Sequence, residues 1–440
     1  MKALLLALAL TAVQQPADSI PDLSHPWSLQ ECMDWALEHN LSVVSQELSL
    51  QSKDIDRNTA EMSWLPSVNA SASENISFGR GLGGNNTYEY GNSATTGISL
   101  GGSMTLFDGL ATPNRIKLAR LDLDAATESL EKVRDDIRTA VAKAYVQILY
   151  NLEIQDVALQ QVAIDSLQAE RLEGMLSVGR SSKADVSQQK ASLAQSRVTL
   201  VQAQNNVRAA VLDLAQLLEL PSWDGFSVVR FDAPAPGDVY LGHPDDIYAD
   251  AVMTRPSIKA EELKLKGTEY SLNIAKSGYY PSLSLSAGLG TNYYSSFADV
   301  GFWDQLRANF SQYVGLSLNI PIFNKFQVRN QVRTARVQQD LQKAQLRSAQ
   351  QTLYKEIYQA WNGAVAAQAK YEASVEAESA AQDAFELTQA KYEGGGATFT
   401  DFSEARTRYM KARSDLVQAS CEYLFQTALV QFYRSGTLTL

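Results

Sequence analysis

Trp64-Leu65-Pro66-Ser67-Val68-Asn69-Ala70-Ser71-Ala72-Ser73 and, 215 residues further on (279 − 64), Tyr279-Tyr280-Pro281-Ser282-Leu283-Ser284-Leu285-Ser286-Ala287-Gly288 follow one plan: two bulky residues, a proline, then apolar residues alternating with small ones. A period of two marks a strand with one oily and one polar face. Ala36 and Ala251 keep the same shift, whereas Phe107 and Phe323, Tyr145 and Trp361, Gly179 and Gly395, and Asp185 and Asp401 are 216 apart (323 − 107). A register that changes by one residue only across a Gly/Asn/Ser-rich stretch identifies an internal duplication whose variable parts are loops.

Each copy adds a second alternating stretch. After a Gly/Asn loop spanning 79–92, Ala94, Thr96, Ile98, Leu100, Met104 and Leu106 interleave with small residues; after a second loop spanning 291–310, Val314, Leu316, Leu318 and Ile320 do the same. Glu74 breaks the oily row. One hairpin of roughly ten-residue strands is expected per copy, the length of a tilted transmembrane β-strand. A soluble sheet would bury its oily face under aromatic and branched residues from elsewhere, and the remaining chain is coiled-coil-like helix with none to spare. Trp64, Phe107, Tyr279, Tyr280 and Phe323 stand at one end of the strands, and Tyr88, Tyr90, Tyr293, Tyr294, Trp303 and Tyr313 at the other, where membrane-interface aromatics belong.

The rest reads as helix. Ser28-Leu29-Gln30-Glu31 is a capping box that starts one. From about 112 to 177 only Gly174 interrupts a pattern that predicts a helix on the order of 100 Å long. Ala126, Leu130, Val133, Ile137, Val141, Ala144 and Ile148 step along it at coiled-coil spacing, and Leu346, Ala349, Leu353, Ile357, Ala360 and Ala364 repeat the seam. The layout is therefore a signal peptide at 1–19; a first repeat at 20–220 with hairpin 67–106, long helix 112–177 and return helix 183–220; a Pro/Gly linker at 221–242; a second repeat at 243–435 with hairpin 282–320, long helix 325–392 and return helix 399–433; and a tail at 436–440. The fold class is mainly α with transmembrane β.

Composition excludes several functions. A net charge of −11 argues against nucleic acid as a partner, and no window is apolar enough for a transmembrane helix. His25, His39 and His243 lie apart without metal spacing, and Gly79-Arg80-Gly81-Leu82-Gly83-Gly84 has the letters of a dinucleotide loop without a helix behind it. With no nucleophile–base pair in view, neither an enzyme nor a cofactor or metal is expected. Cys32 and Cys421 fall at non-matching positions of the copies, so a disulfide between them stays open.

Four strands per chain cannot close a barrel, and an open edge in lipid strands backbone groups without partners. Two chains would give a filled eight-stranded barrel; a homotrimer gives about twelve strands and a lumen. The duplicated hairpin-plus-long-helix plan, the strand exits Leu106-Phe107-Asp108-Gly109 and Pro321-Ile322-Phe323-Asn324, and the turn Val178-Gly179 leading to Asp185-Val186 resemble the TolC-type outer-membrane efflux protein family from about Ser28 to Tyr433. The resemblance implies a β-barrel shared between three subunits, continued by a periplasmic α-barrel that is closed at its tip and opened by a periplasmic adaptor and an inner-membrane pump.

It also implies an aperture at the tip, where Asp401, Glu404 and Tyr392, with Asp185 on the first turn, take the positions of inward acids and a tyrosine. A tip arginine of some members falls on Ala397, so the latch is either missing or replaced by Arg180 and Lys183, which read equally as solvated charges, and Gly179, Gly394, Gly395 and Gly396 form the turns expected to meet the adaptor. Ser182-x-x-Asp185 and Thr398-x-x-Asp401 are equally capping boxes, which alone would account for both aspartates. The expected function is an outer-membrane exit duct for efflux or type I secretion; the alternative is an exported coiled-coil scaffold or adaptor without a pore.

Overall fold

The computed structural model of the chain describes residues 23, 25–82, 87–230, 241–295 and 300–438. The expected signal peptide, residues 231–240 of the linker, Gly83-Gly84 and the last two residues lie outside the described residues. The elements are α1 (Leu29–His39), α2 (Leu41–Met62), β1 (Ser67–Leu82), β2 (Tyr88–Asp108), α3 (Ala111–Ser177), α4 (Lys183–Leu217), α5 (Pro244–Thr254), α6 (Pro256–Ser277), β3 (Ser282–Tyr294), α7 (Phe302–Ala308), β4 (Ser311–Asn319), α8 (Gln327–Glu393) and α9 (Phe399–Ser435). The Ser28 capping box forms as the sequence predicts, with the Ser28 amide donating to Glu31 Oε2 at 2.7 Å. Long-range contacts divide the chain into two units, one of Ser45–Val133 with Tyr248–Glu356, the other of Arg134–Ile247, Ile357–Leu440 and the chain up to Val44.

The first unit holds one antiparallel sheet in the order β1-β2-β3-β4. Its register puts like with like: Ala70 faces Leu100, Leu100 faces Leu289, and Leu285 faces Leu316 on one side, while Ser71 faces Ser99 on the other, their hydroxyls 2.7 Å apart. Because side chains alternate, a slip of one residue would turn the oily row over, so this pairing is strongly specified. Opposite Glu74, which interrupts the oily row, Thr96 donates a hydroxyl hydrogen bond to the carboxylate.

Three strands exceed the expected ten residues, at 16 for β1, 21 for β2 and 13 for β3, while β4 has 9. The stretch read as a Gly/Asn loop is largely paired, Gly79 with Gly91 and Leu82 with Tyr88, because the ladder uses backbone groups that glycine supplies as well as any residue. The second expected loop is likewise shortened: β3 runs to Tyr294, and Gln305 of α7 clasps that residue, accepting from its amide at 3.0 Å and donating to its carbonyl at 3.2 Å.

Where a strand hands over to a long helix, both repeats use two consecutive left-handed residues, Gly109-Leu110 (φ 67° and 69°) and Lys325-Phe326 (φ 52° and 61°). Asp108 then caps α3 by accepting from the Thr112 amide at 2.9 Å. The coiled-coil seam is buried at Leu130, Ile137, Val141 and Ile148, and again at Leu353, Ile357, Ala360 and Ala364.

In the second unit the duplicated aromatics do duplicated work. The Tyr145 hydroxyl donates to the Val229 carbonyl at 2.7 Å, and the Trp361 indole donates to the Gly242 carbonyl at 3.0 Å, each tying a long helix to the connecting chain. Burial raises the Tyr145 phenol well above its ordinary value. Cys32 and Cys421 are both free thiols, pushed up by burial to about 12 and about 11, which makes them unreactive.

Gly109 carries the tightest backbone requirement: a Cβ there would stand 2.6 Å from the Ser277 carbonyl and 2.8 Å from Tyr280 Cβ. Gly109→Ala should therefore lower stability by about 1–3 kcal/mol, read from the denaturation midpoint of the detergent-extracted protein. An unchanged midpoint would contradict this packing.

Candidate functional site

The site begins with two helix endings built alike. Gly179 (φ 74°) lies just past α3; its amide donates to Leu176 at 3.0 Å and the next amide, of Arg180, to Met175 at 2.8 Å. Gly395 (φ 82°) does the same after α8, with its amide on Tyr392 at 3.1 Å and that of Gly396 on Lys391 at 2.8 Å. This pair of bonds requires a left-handed residue, which explains a glycine at those two positions; Gly394 and Gly396 flank the second and have ordinary backbone.

Each turn then opens a helix through a capping box. Asp185 Oδ2 accepts from the Ser182 hydroxyl at 2.7 Å and from its amide at 3.3 Å; Asp401 Oδ2 accepts from the Thr398 hydroxyl at 2.7 Å and from its amide at 2.9 Å. The hydrogen bonds from Thr398 hold the exposed Asp401 carboxyl below its ordinary value. Glu404, one turn further on, pairs with Arg408 at 3.3 Å on the exposed face of α9. Arg180 and Lys183 are exposed and make no ion pair among the described residues.

Tyr392 anchors an aromatic stack. Its ring lies on Phe402 (centroids 5.1 Å apart, planes 20° apart) and near Phe399; Phe402 packs on Phe385, and Phe385 stacks on Tyr409 at 5.5 Å. Burial raises the Tyr392 phenol, with Asp185 raising it further and Arg171 opposing. Arg171 reaches across to Glu393 at 3.0 Å, so α3 and α8 are tied close to their ends. The structure thus brings Asp185 and Tyr392 within electrostatic reach, while Asp401 and Glu404 stay on the exposed side of α9.

Sequence reasoning missed the most buried polar group of this region. Asp165 on α3 is fully buried and accepts from Arg406 of α9, from Ser196 of α4, from Gln161 at 2.9 Å and from the Gln189 side chain at 3.2 Å. Burial pushes the Arg406 guanidinium down from its ordinary value and Asp165 opposes that shift. A signal was present: Gln189, Ser196, Ala203 and Ala210 are all buried and stand seven residues apart, so two polar residues occupy the buried stripe of an alanine-lined helix. The three histidines serve local contacts, with His39 stacked on Trp35 at 3.8 Å, His25 beside Glu31 and His243 beside Asp245. Gly79 to Leu82 continue β1, and no helix follows them directly.

The profile described as "Outer membrane efflux protein" matches residues 33–219 and again 247–435, once per repeat. BepC of Brucella suis, an outer membrane efflux protein, is 24% identical over 385 residues, covering 87% of this chain and 80% of its own. The outer membrane protein TolC of Escherichia coli is 25% identical over 413 residues, covering 88% and 80%. Among solved structures, VceC of Vibrio cholerae superposes with a TM-score of 0.77 at 20% identity over 92% of this chain and 95% of its own, a likeness of fold.

Removing one partner of the buried pair leaves an uncompensated charge. Asp165→Ala and Arg406→Ala should each cost about 3–5 kcal/mol of stability, and the double variant much less than their sum. Additive losses in denaturation would deny the coupling.

Proposed function

This chain belongs to the outer membrane efflux protein family, a family of channel proteins, and from that premise we propose that it is the passive exit duct of a tripartite efflux pump or a type I secretion system. In this reading three copies close their sheets into one twelve-stranded barrel, continued into the periplasm by the helices of both repeats; a periplasmic adaptor meets the glycine turns, and an inner-membrane pump supplies substrate and energy.

The observation that carries it is the uncovered oily face of the sheet. Val314 is 78% exposed and Phe78 77%, and β1 and β4 are each paired along one edge only. In water such a face would be an aggregation site; in a bilayer it is the lipid-facing wall, and the free edges are what neighbouring copies would pair. Trp64, Phe107, Tyr279, Tyr280 and Phe323 then sit at the periplasmic interface. No helix among the described residues is long and apolar enough to cross the membrane, which leaves the strands to do so.

In this reading Asp185, Tyr392, Asp401 and Glu404 form the aperture, with Arg180 and Lys183 as exposed cations of the first turn beside Arg408, which already pairs with Glu404. Repeated around a threefold axis, Asp401 and Glu404 make a ring that attracts cations. The bonds of Asp401 to Thr398 do not oppose this, since a capping carboxylate keeps its charge, whereas Arg408 offsets part of the charge of Glu404.

Planar-bilayer recordings test the assignment. Small cation-selective steps are expected, with selectivity reduced in Asp401→Asn/Glu404→Gln; selectivity unchanged by that variant would return both acids to capping and surface pairing. No conductance from folded protein would favour the coiled-coil scaffold instead. The pH dependence has a defined sign. Because the folded carboxyl of Asp401 lies below its ordinary value, its charge is complete at neutral pH and is lost only as pH falls through and below the ordinary carboxylate range near 4. Thr398→Val should move that loss to higher pH, read as cation selectivity against pH.

A further inference from the structure

We propose that a basic cleft at the foot of the sheet, between the end of α6 and the first turns of α8, binds the phosphate headgroup of an anionic phospholipid. The cleft is a cavity of about 650 Å³ lined by Lys276, Tyr279, Tyr280, Arg329, Arg333 and Arg336. The three arginines follow one another by four and three residues and so share one face of α8. Arg329 lies 5.6 Å from the Phe326 ring, and none of the four cations has a carboxylate partner among the described residues. Four like charges around one cavity repel each other, which makes an anion its natural occupant.

The duplication supplies an internal control. Arg336 corresponds to Arg120 (336 − 120 = 216) and Lys276 to Glu61 (276 − 61 = 215). In the first repeat those two residues form an ion pair at 2.8 Å, so the site neutralises itself. In the second repeat the acid is replaced by a lysine, Pro113 by Arg329 and Lys117 by Arg333, and the same place becomes a concentration of positive charge.

Depth selects a lipid as the anion, on the reading above that the sheet crosses the membrane. Tyr279 and Tyr280 immediately precede β3, and the arginines occupy the first three turns of α8, a rise of about 10 Å that overlaps the headgroup layer beneath the hydrocarbon. Guanidinium groups donate in pairs to phosphate oxygens, tyrosine rings favour this layer, and basic pockets at a membrane surface recognise anionic headgroups.

The full-length protein, extracted in detergent and reconstituted in nanodiscs of phosphatidylcholine with a minor share of phosphatidylglycerol, should retain the anionic lipid by on the order of tenfold over its share, measured by native mass spectrometry. Lys276→Glu, which rebuilds the first-repeat pair with Arg336, should return retention to the bulk ratio, as should Arg333→Gln/Arg336→Gln. Equal retention in wild type and both variants, no enrichment in wild type because a second copy fills the cleft, or loss of enrichment when inorganic phosphate is added would each overturn the lipid site. Protein that inserts without discriminating contradicts this site alone; protein that fails to insert contradicts the transmembrane sheet as well.

Discussion

Every amide and carbonyl of a chain in hydrocarbon needs a partner within the protein, because each one left alone costs several kcal/mol. The ladder from β1 to β4 meets that demand inside the sheet and leaves it unmet along the two outer edges. The oily face compounds it, since no helix of the same unit covers Val314, Leu316 or Leu318. Sheet and surroundings are therefore complementary: an uncovered apolar wall suits lipid, and a sheet with two free edges suits repetition around an axis.

The helical unit works under a different constraint. Its seams are rich in alanine, which lets helices approach closely but supplies little shape to fix which face meets which. Asp165 supplies the missing specificity, because a buried carboxylate accepts only arrangements that bring Arg406, Ser196 and Gln189 to it. Three helices from both repeats, α3, α4 and α9, converge on that one side chain. Phe402 and Met410, one turn either side of Arg406, are buried with it, so the polar contact is enclosed rather than solvated.

Much of this was legible in the sequence where one residue type has one physical use. Gly179 and Gly395 announce left-handed helix endings, and Ser182-x-x-Asp185 and Thr398-x-x-Asp401 announce capping boxes that form as written. The strand pattern was legible in kind but not in extent, since Gly79 and Gly91 look like a loop until the ladder pairs them. The clasp of Gln305 on Tyr294 and the Glu404–Arg408 pair depend on chain paths that periodicity does not encode. Asp165 was passed over because a single acid in a long helix usually faces solvent; only its partners on two other helices reveal the buried role.

The two repeats also differ where they should match. On α3, Ala125 is 3% exposed, packed within its unit; its counterpart on α8, Leu341 (341 − 125 = 216), is 49% exposed, and Val337 next to it 69%. At the helix entry, Gly109 is pressed against Ser277 and Tyr280 of the following repeat. The corresponding Lys325 shares the left-handed backbone, and among the described residues no second copy of that contact is formed there. An interface of this head-to-tail kind is made once between the two repeats, and the equivalent surface of the second repeat is exposed, where a large apolar residue stands in place of alanine. A head-to-tail series with an open apolar end either grows without limit or closes into a ring. The free edges of β1 and β4 set the same choice for the sheet, and in a membrane only closure leaves no edge behind.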